Sequence, residues 1–182
     1  MSILKKSTNV RQFIEQSIYF DMEEELNYIK EHKLPEKICG FELPKTLDLI
    51  TFGMRLDLSE IKNDFDFYFK PLMLLGGLRK EQILICNAYD VIAFGFLVSK
   101  ELTRLNERDS KLKYKFDKEE ERAGIHLLNH GIFGTIDMIA KRMNISHDDV
   151  LELSQQKVYM MMKIDIDNAN YQKRLRDVLN NQ

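Results

Sequence analysis

No part of this sequence is an apolar run of membrane-spanning length. The longest runs, at 72–75 and 91–98, are short and broken by glycine and polar residues, whereas a transmembrane helix needs about 20 apolar residues. The opening MSILKKSTNVRQF has two lysines with no apolar stretch behind them, so it does not read as a secretion signal. Neither sign of charge dominates: Lys and Arg number 27, Asp and Glu 29, for a net charge of -2. That balance implies neither a nucleic-acid coat nor a face for anionic membranes. The common catalytic signatures are missing too. There is no Gly-x-Ser-x-Gly elbow, Gly76-Gly77 lacks the Lys-Ser/Thr end of a phosphate loop, and Leu127 follows His126 where HExxH needs glutamate. Cysteine is scarce. Cys39 and Cys86 lie far apart, and without a secretion signal they are expected as two free, buried thiols in a reducing compartment. Repeats and low-complexity tracts are also missing.

What remains is an ordinary globular composition, 44% hydrophobic and 31% charged over 182 residues, long enough to bury a full core. Periodicity predicts a mainly α fold, a helical bundle with a small β element near 37–43. The expected organisation is a helical core domain at 1–106 with a Pro/Gly-punctuated loop at 34–53, a charged linker at 107–118, and a C-terminal helical subdomain at 119–182. Within 7–32, Phe13, Ile14, Ile18, Tyr19, Met22, Leu26 and Ile29 keep helical spacing. Ser59 or Asp57 is placed to cap a further short helix. A continuous helix is predicted over 79–106, the longest in the chain and apolar on nearly every side, so it belongs in a domain centre or an oligomer interface. A weak strand alternation shows at 112–116. Asp117 is a natural cap for a helix over 118–129, and a last helix is predicted from about Gln155 to Leu179.

The most specific pattern lies at 132–163. Ala140 is small enough for a helix crossing, and Ile136, Ile139, Met143, Ile145, Val150 and Leu153 take the inward positions. Asn144 suits a turn that needs positive φ. Ser146 suits an N-cap, with Asp148 and Asp149 in the first turn behind it. This corner resembles the helix-turn-helix family of DNA readers, in which the helix from His147 onward would enter the major groove. That resemblance implies DNA contacts from Lys141, Arg142, Gln155, Gln156 and Lys157. However, Asp148, Asp149 and Glu152 on the presented helix oppose phosphate binding, so nucleic acid is the alternative partner and not the leading one.

His126 and His130 stand four apart on an expected helix, a spacing that can hold zinc if Glu119 or Asp137 adds a ligand. The plainer reading is two surface or interface histidines, and neither a cofactor nor a metal is expected. Two regions are rich in the side chains that make cores or protein interfaces: Phe65, Phe67, Tyr68 and Phe69, and then Tyr159, Met160, Met161 and Met162. Methionine faces adapt to varied partners.

Two segments resemble proteins of tailed-bacteriophage morphogenesis. One is 42–58, ELPKTLDLITFGMRLDL, with its Pro, apolar, Thr-x-Gly-x-x-apolar-x-Leu order. It is similar to the opening of tail-assembly-chaperone-like proteins. The other, 136–162, looks like the C-terminal helical piece of such proteins, with Ile-Ala-Lys-Arg, Ser-x-x-x-Val and a Val/Met-rich helix. The resemblance implies a non-enzymatic protein that binds other protein subunits, as a homo-oligomer or with phage structural proteins, in tail assembly or as a head–tail connector ring. The expected location is the host cytoplasm or the virion. No membrane partner is expected.

Overall fold

The structure, a computed structural model, describes residues 7–18, 23–114, 116–124 and 130–180. These residues are mainly helical, with ten helices and one small antiparallel two-stranded sheet. None of the described helices is long and apolar enough to cross a membrane. The chain forms two compact units, Met1–Leu47 with Met54–Thr103, and Asp48–Gly53 with Arg104–Gln182.

In the first unit, α1 (Val10–Ser17) opens with a reciprocal cap. The Asn9 side chain accepts from the Gln12 amide, and Gln12 accepts from that of Asn9. α2 (Glu23–Lys30) begins with Glu23, Glu24 and Glu25, where the helix dipole favours acid. Of the face expected over 7–32, Phe13 and Ile29 are fully buried and Ile18 is exposed. Tyr19 and Met22 lie outside the described residues. The β element expected at 37–43 is a hairpin, β1 (Lys37–Ile38) on β2 (Phe41–Glu42). Its two-residue turn, Cys39-Gly40, has φ of 47° and 85°. Tight hairpins need this left-handed backbone, and glycine adopts it freely. Next come α3 (Phe52–Ser59), which contains both Asp57 and Ser59, and α4 (Asp64–Gly76), whose cap is Asn63.

The single helix expected over 79–106 is two, α5 (Lys80–Leu84) and α6 (Ala88–Asp109). Backbone pairing with the N-terminal segment interrupts it. Asn87 bridges Asn9, the Cys86 carbonyl accepts from the Val10 amide at 3.1 Å, and the Ala88 amide donates to the Thr8 carbonyl at 2.9 Å. Groups engaged in that way cannot also serve a continuous i to i+4 ladder. At this break the expectation of two free thiols also fails. Cys86 is joined to Cys39 in a disulfide, Cα to Cα 6.3 Å, because the hairpin turn packs where α5 ends. Behind the break α6 is the centre of the unit, burying Ala88, Tyr89, Val91, Ile92, Phe94 and Val98. Gly95 is needed here, because a Cβ on it would stand 2.8 Å from the Phe67 ring. Polar groups inside the unit are matched: the Tyr89 hydroxyl donates to the Glu25 carboxylate, and His32 Nε2 lies 2.9 Å from Asp90 Oδ1.

In the second unit, α6 continues to Asp109 and α7 (Lys118–Arg122) follows. The alternation at 112–116 forms no strand among the described residues, and positions 125–129 of the expected helix lie outside them. α8 (Gly131–Met143), α9 (His147–Leu151) and α10 (Gln155–Asn180) complete the unit. At 26 residues α10, not 79–106, is the longest helix described. The segment Asp48–Gly53 pairs by its backbone with the α9–α10 connection. Thr51 bridges Ser154, the Phe52 amide donates to the Leu153 carbonyl at 2.8 Å, and the Gln155 amide donates to that of Ile50 at 2.8 Å. Arg108 and Arg104 hold the same segment through Asp48, at 3.2 and 2.9 Å.

Candidate interaction surfaces

The aromatic cluster of α4 divides between inside and outside by helical phase. Phe69 is 2% exposed and belongs to the core, whereas Phe65, one turn earlier, is 49% exposed. The Phe65 ring lies 4.5 Å from that of Phe69, and Lys80 Nζ sits 4.8 Å from its centroid, a cation–π contact at the surface. Phe67 turns inward, edge-on to Phe96 at 5.1 Å. Tyr68 is half-buried and edge-on to Phe13 at 5.9 Å. Burial, and then the nearby Asp64 carboxylate, push its hydroxyl up to about 12. Phe65 is therefore the member of this group that can meet a partner without unfolding.

The corner forms through the local chemistry that the sequence predicts. Asn144 is left-handed at φ 53°, ψ 51° and its amide donates to the Ala140 carbonyl. Ser146 and Asp149 make a reciprocal cap at 3.1 Å in each direction. The Ser146 hydroxyl, then its amide, hold the Asp149 carboxyl below the usual carboxylate range. Ala140, Ile136, Ile139 and Val150 are buried. The second helix is only five residues long. On the outside, Asp137 takes Lys141 Nζ at 2.6 Å and faces His147 Nε2 at 3.4 Å. An open hollow of about 390 Å³ lies beside them. Of the residues a DNA reader would use, Arg142 is paired with Asp165 and Lys141 with Asp137. Gln155 is 1% exposed, Gln156 accepts from Arg108 at 2.9 Å, and Lys157 is exposed. His130 is exposed just before α8, and His126 lies outside the described residues, so the histidine pair is not located. Among the described residues no three His, Cys, Asp or Glu side chains converge as a metal site would need.

α10 carries the remaining candidates. The Tyr159 ring lies under the Arg108 guanidinium at 3.9 Å. Met160 is exposed, and Met161 and Met162 are half-buried. Further along, one face of α10 serves its own unit. Lys173 Nζ reaches both Asp117 and Glu120 at 3.2 Å, the Asn170 amide donates to the Lys113 carbonyl at 3.1 Å, and the Tyr114 hydroxyl donates to Glu120 at 2.7 Å. Hydrogen bonds from backbone amides, Glu120 to Asp117 and Asp117 to Glu120, lead in holding both carboxyls below their ordinary values. A depressed carboxyl contributes stability that is complete above its unfolded pKa and is lost as pH falls through the folded one. We therefore expect α7 to stay docked at neutral pH and to release in acid, below about pH 4. Amide exchange of 118–122 against pH checks this. Protection that persists unchanged to pH 2 would contradict it.

On the opposite face of α10 large apolar side chains are exposed. Tyr171 is 53% exposed and Val178 58%, and Ile164, Leu175 and Leu179 are exposed with them. The helical spacing of Tyr171, Leu175 and Val178 in the sequence fits burial as well as exposure. The signal that separates them from Met162, Ile166 and Ala169 is that each set keeps its own alternation of threes and fours, on opposite sides of one helix. No family model matches this chain, and no curated protein or solved structure matches it. The fold class, mainly α with one small hairpin, is what the structure establishes.

Proposed function

We propose that this is a non-enzymatic protein–protein interaction module, working in the assembly or architecture of a tailed-bacteriophage particle, at the tail or as part of a head–tail connector. The observation that supports an interaction role is the outer face of α10, which exposes Ile164 and, beyond Asn168, Tyr171, Leu175, Val178 and Leu179. A soluble surface exposes apolar side chains singly, but several grouped on one face mark a contact site. The phage setting is supported by the resemblance of 42–58, of which 48–53 belong to the second unit, and of 136–162, which lies wholly within it. On this reading the protein acts in the host cytoplasm during assembly and stays with the released virion, whose oxidising surroundings preserve the Cys39–Cys86 bond. The test is to sediment lysates of a phage-producing culture that encodes this chain and to follow it by immunoblot. Co-migration with particles or their precursors is expected. Recovery only as free chain at every stage of production would overturn the proposal.

A further inference from the structure

We infer that the outer face of α10 recognises a second copy of itself, so that two chains pair through antiparallel α10 helices. This rests on the reading of that face as an interaction surface and names its partner. Met161, Ile164, Asn168, Tyr171, Leu175 and Val178 follow one another at alternating spacings of three and four, which is the seam of a two-stranded coiled coil. The seam lies on the side of α10 away from Lys173, the residue that ties the helix to α7.

With the helices antiparallel the seam is complementary to itself. With the helices antiparallel about an axis between Ala169 and Asn170, Met161 meets Val178 of the second copy. Ile164 then meets Leu175, and Asn168 meets Tyr171. By the two-fold symmetry each pair occurs twice, so the apolar pairs flank two central amide–phenol layers. Polar layers at the centre set register, because shifting them would bury a polar group against an apolar one. Charge agrees with this direction. Asp167 and Arg174 sit on the same flank of the seam, and antiparallel pairing places each against the other on both sides of the axis. Arg174 is exposed, and Asp167 is held on that flank by Lys163 at 2.6 Å. Parallel pairing would instead set Asp167 beside Gln172 and Arg174 beside Leu179, and would offer neither an opposite charge on the second copy. The paired length is short, about 27 Å of helix, so the expected affinity is micromolar.

Sedimentation equilibrium of the full chain from about 5 to 200 μM, a range that brackets micromolar affinity, tests this. The mass should climb from 21.6 kDa towards twice that value. Leu175→Asp alters an exposed position, so the far-ultraviolet spectrum should be unchanged while dimerisation weakens at least tenfold, about the loss for a charge buried in such a seam. Arg174→Asp should also weaken it, and Asp167→Arg combined with Arg174→Asp should restore it. A chain that remains monomeric throughout, a dimer indifferent to Leu175→Asp, or a charge swap that fails to restore pairing would each overturn the inference. The lysate sedimentation separates the two proposals. A monomer that still travels with particles removes only the self-pairing, and a dimer never found with particles removes only the phage role.

Discussion

Breaking the Cys39–Cys86 bond is expected to lower the stability of the first unit by about 4 kcal/mol. The bond closes a loop spanning 47 positions. Chain-entropy arguments give about 3 kcal/mol for a 15-residue loop and about 4.7 for a 100-residue one, and 47 falls between them. Against a typical domain stability of about 5–15 kcal/mol this is a large share. The bond also acts at a junction. It anchors the turn of the β1–β2 hairpin to the α5–α6 break, where the segment Thr8–Val10 is already hydrogen-bonded. Oxidised wild type, the same protein in a thiol reductant, and Cys39→Ser with Cys86→Ser should be unfolded in urea side by side. The last two should share a midpoint well below the first. Three coincident curves would show that the link contributes nothing to the fold.

The second large effect separates two phenylalanines one helical turn apart. Phe69→Ala should cost about 3–5 kcal/mol, the usual range for emptying a buried aromatic site. Phe65→Ala should cost about 1–2 kcal/mol. It forfeits a ring contact at 4.5 Å and a lysine at 4.8 Å, each a surface interaction worth about 0.5–1 kcal/mol. Thermal melts of both variants decide this. Similar losses for the two would mean that Phe65 is not the outward member of the cluster. With a small loss, Phe65→Ala becomes a probe of binding that leaves the fold intact.

Features that depend on residues within about four positions of one another are legible in the amino-acid sequence. The left-handed Asn144, the Ser146 cap with its Asp149 partner, the Asp117 cap of α7, the hairpin near 37–43 and the start of α10 at Gln155 are all set by local backbone geometry and short side chains. Such interactions form in the chain segment that contains them, so their residue types mark them directly. Mainly α content follows for the same reason, from apolar spacing along each helix.

Other features need distant segments to meet. The cysteines pair because a turn at residue 39 packs beside a break at residue 86, and that break exists because Thr8–Val10 claims backbone groups a helix would have used. The segment Asp48–Gly53 reads as part of a punctuated loop, yet its backbone completes the α9–α10 connection. Of four aromatics in α4, composition does not say which faces water. Nor do the apolar positions of α10 say which have partners. By itself, the sequence determined the mainly α class with one small β element, the Asp117 and Ser146 caps and the left-handed Asn144, because those are local and hydrogen-bonded within themselves. Only the tertiary structure decided the disulfide, the division into units and the exposed stripe from Ile164 to Leu179, because burial is a property of what a side chain meets.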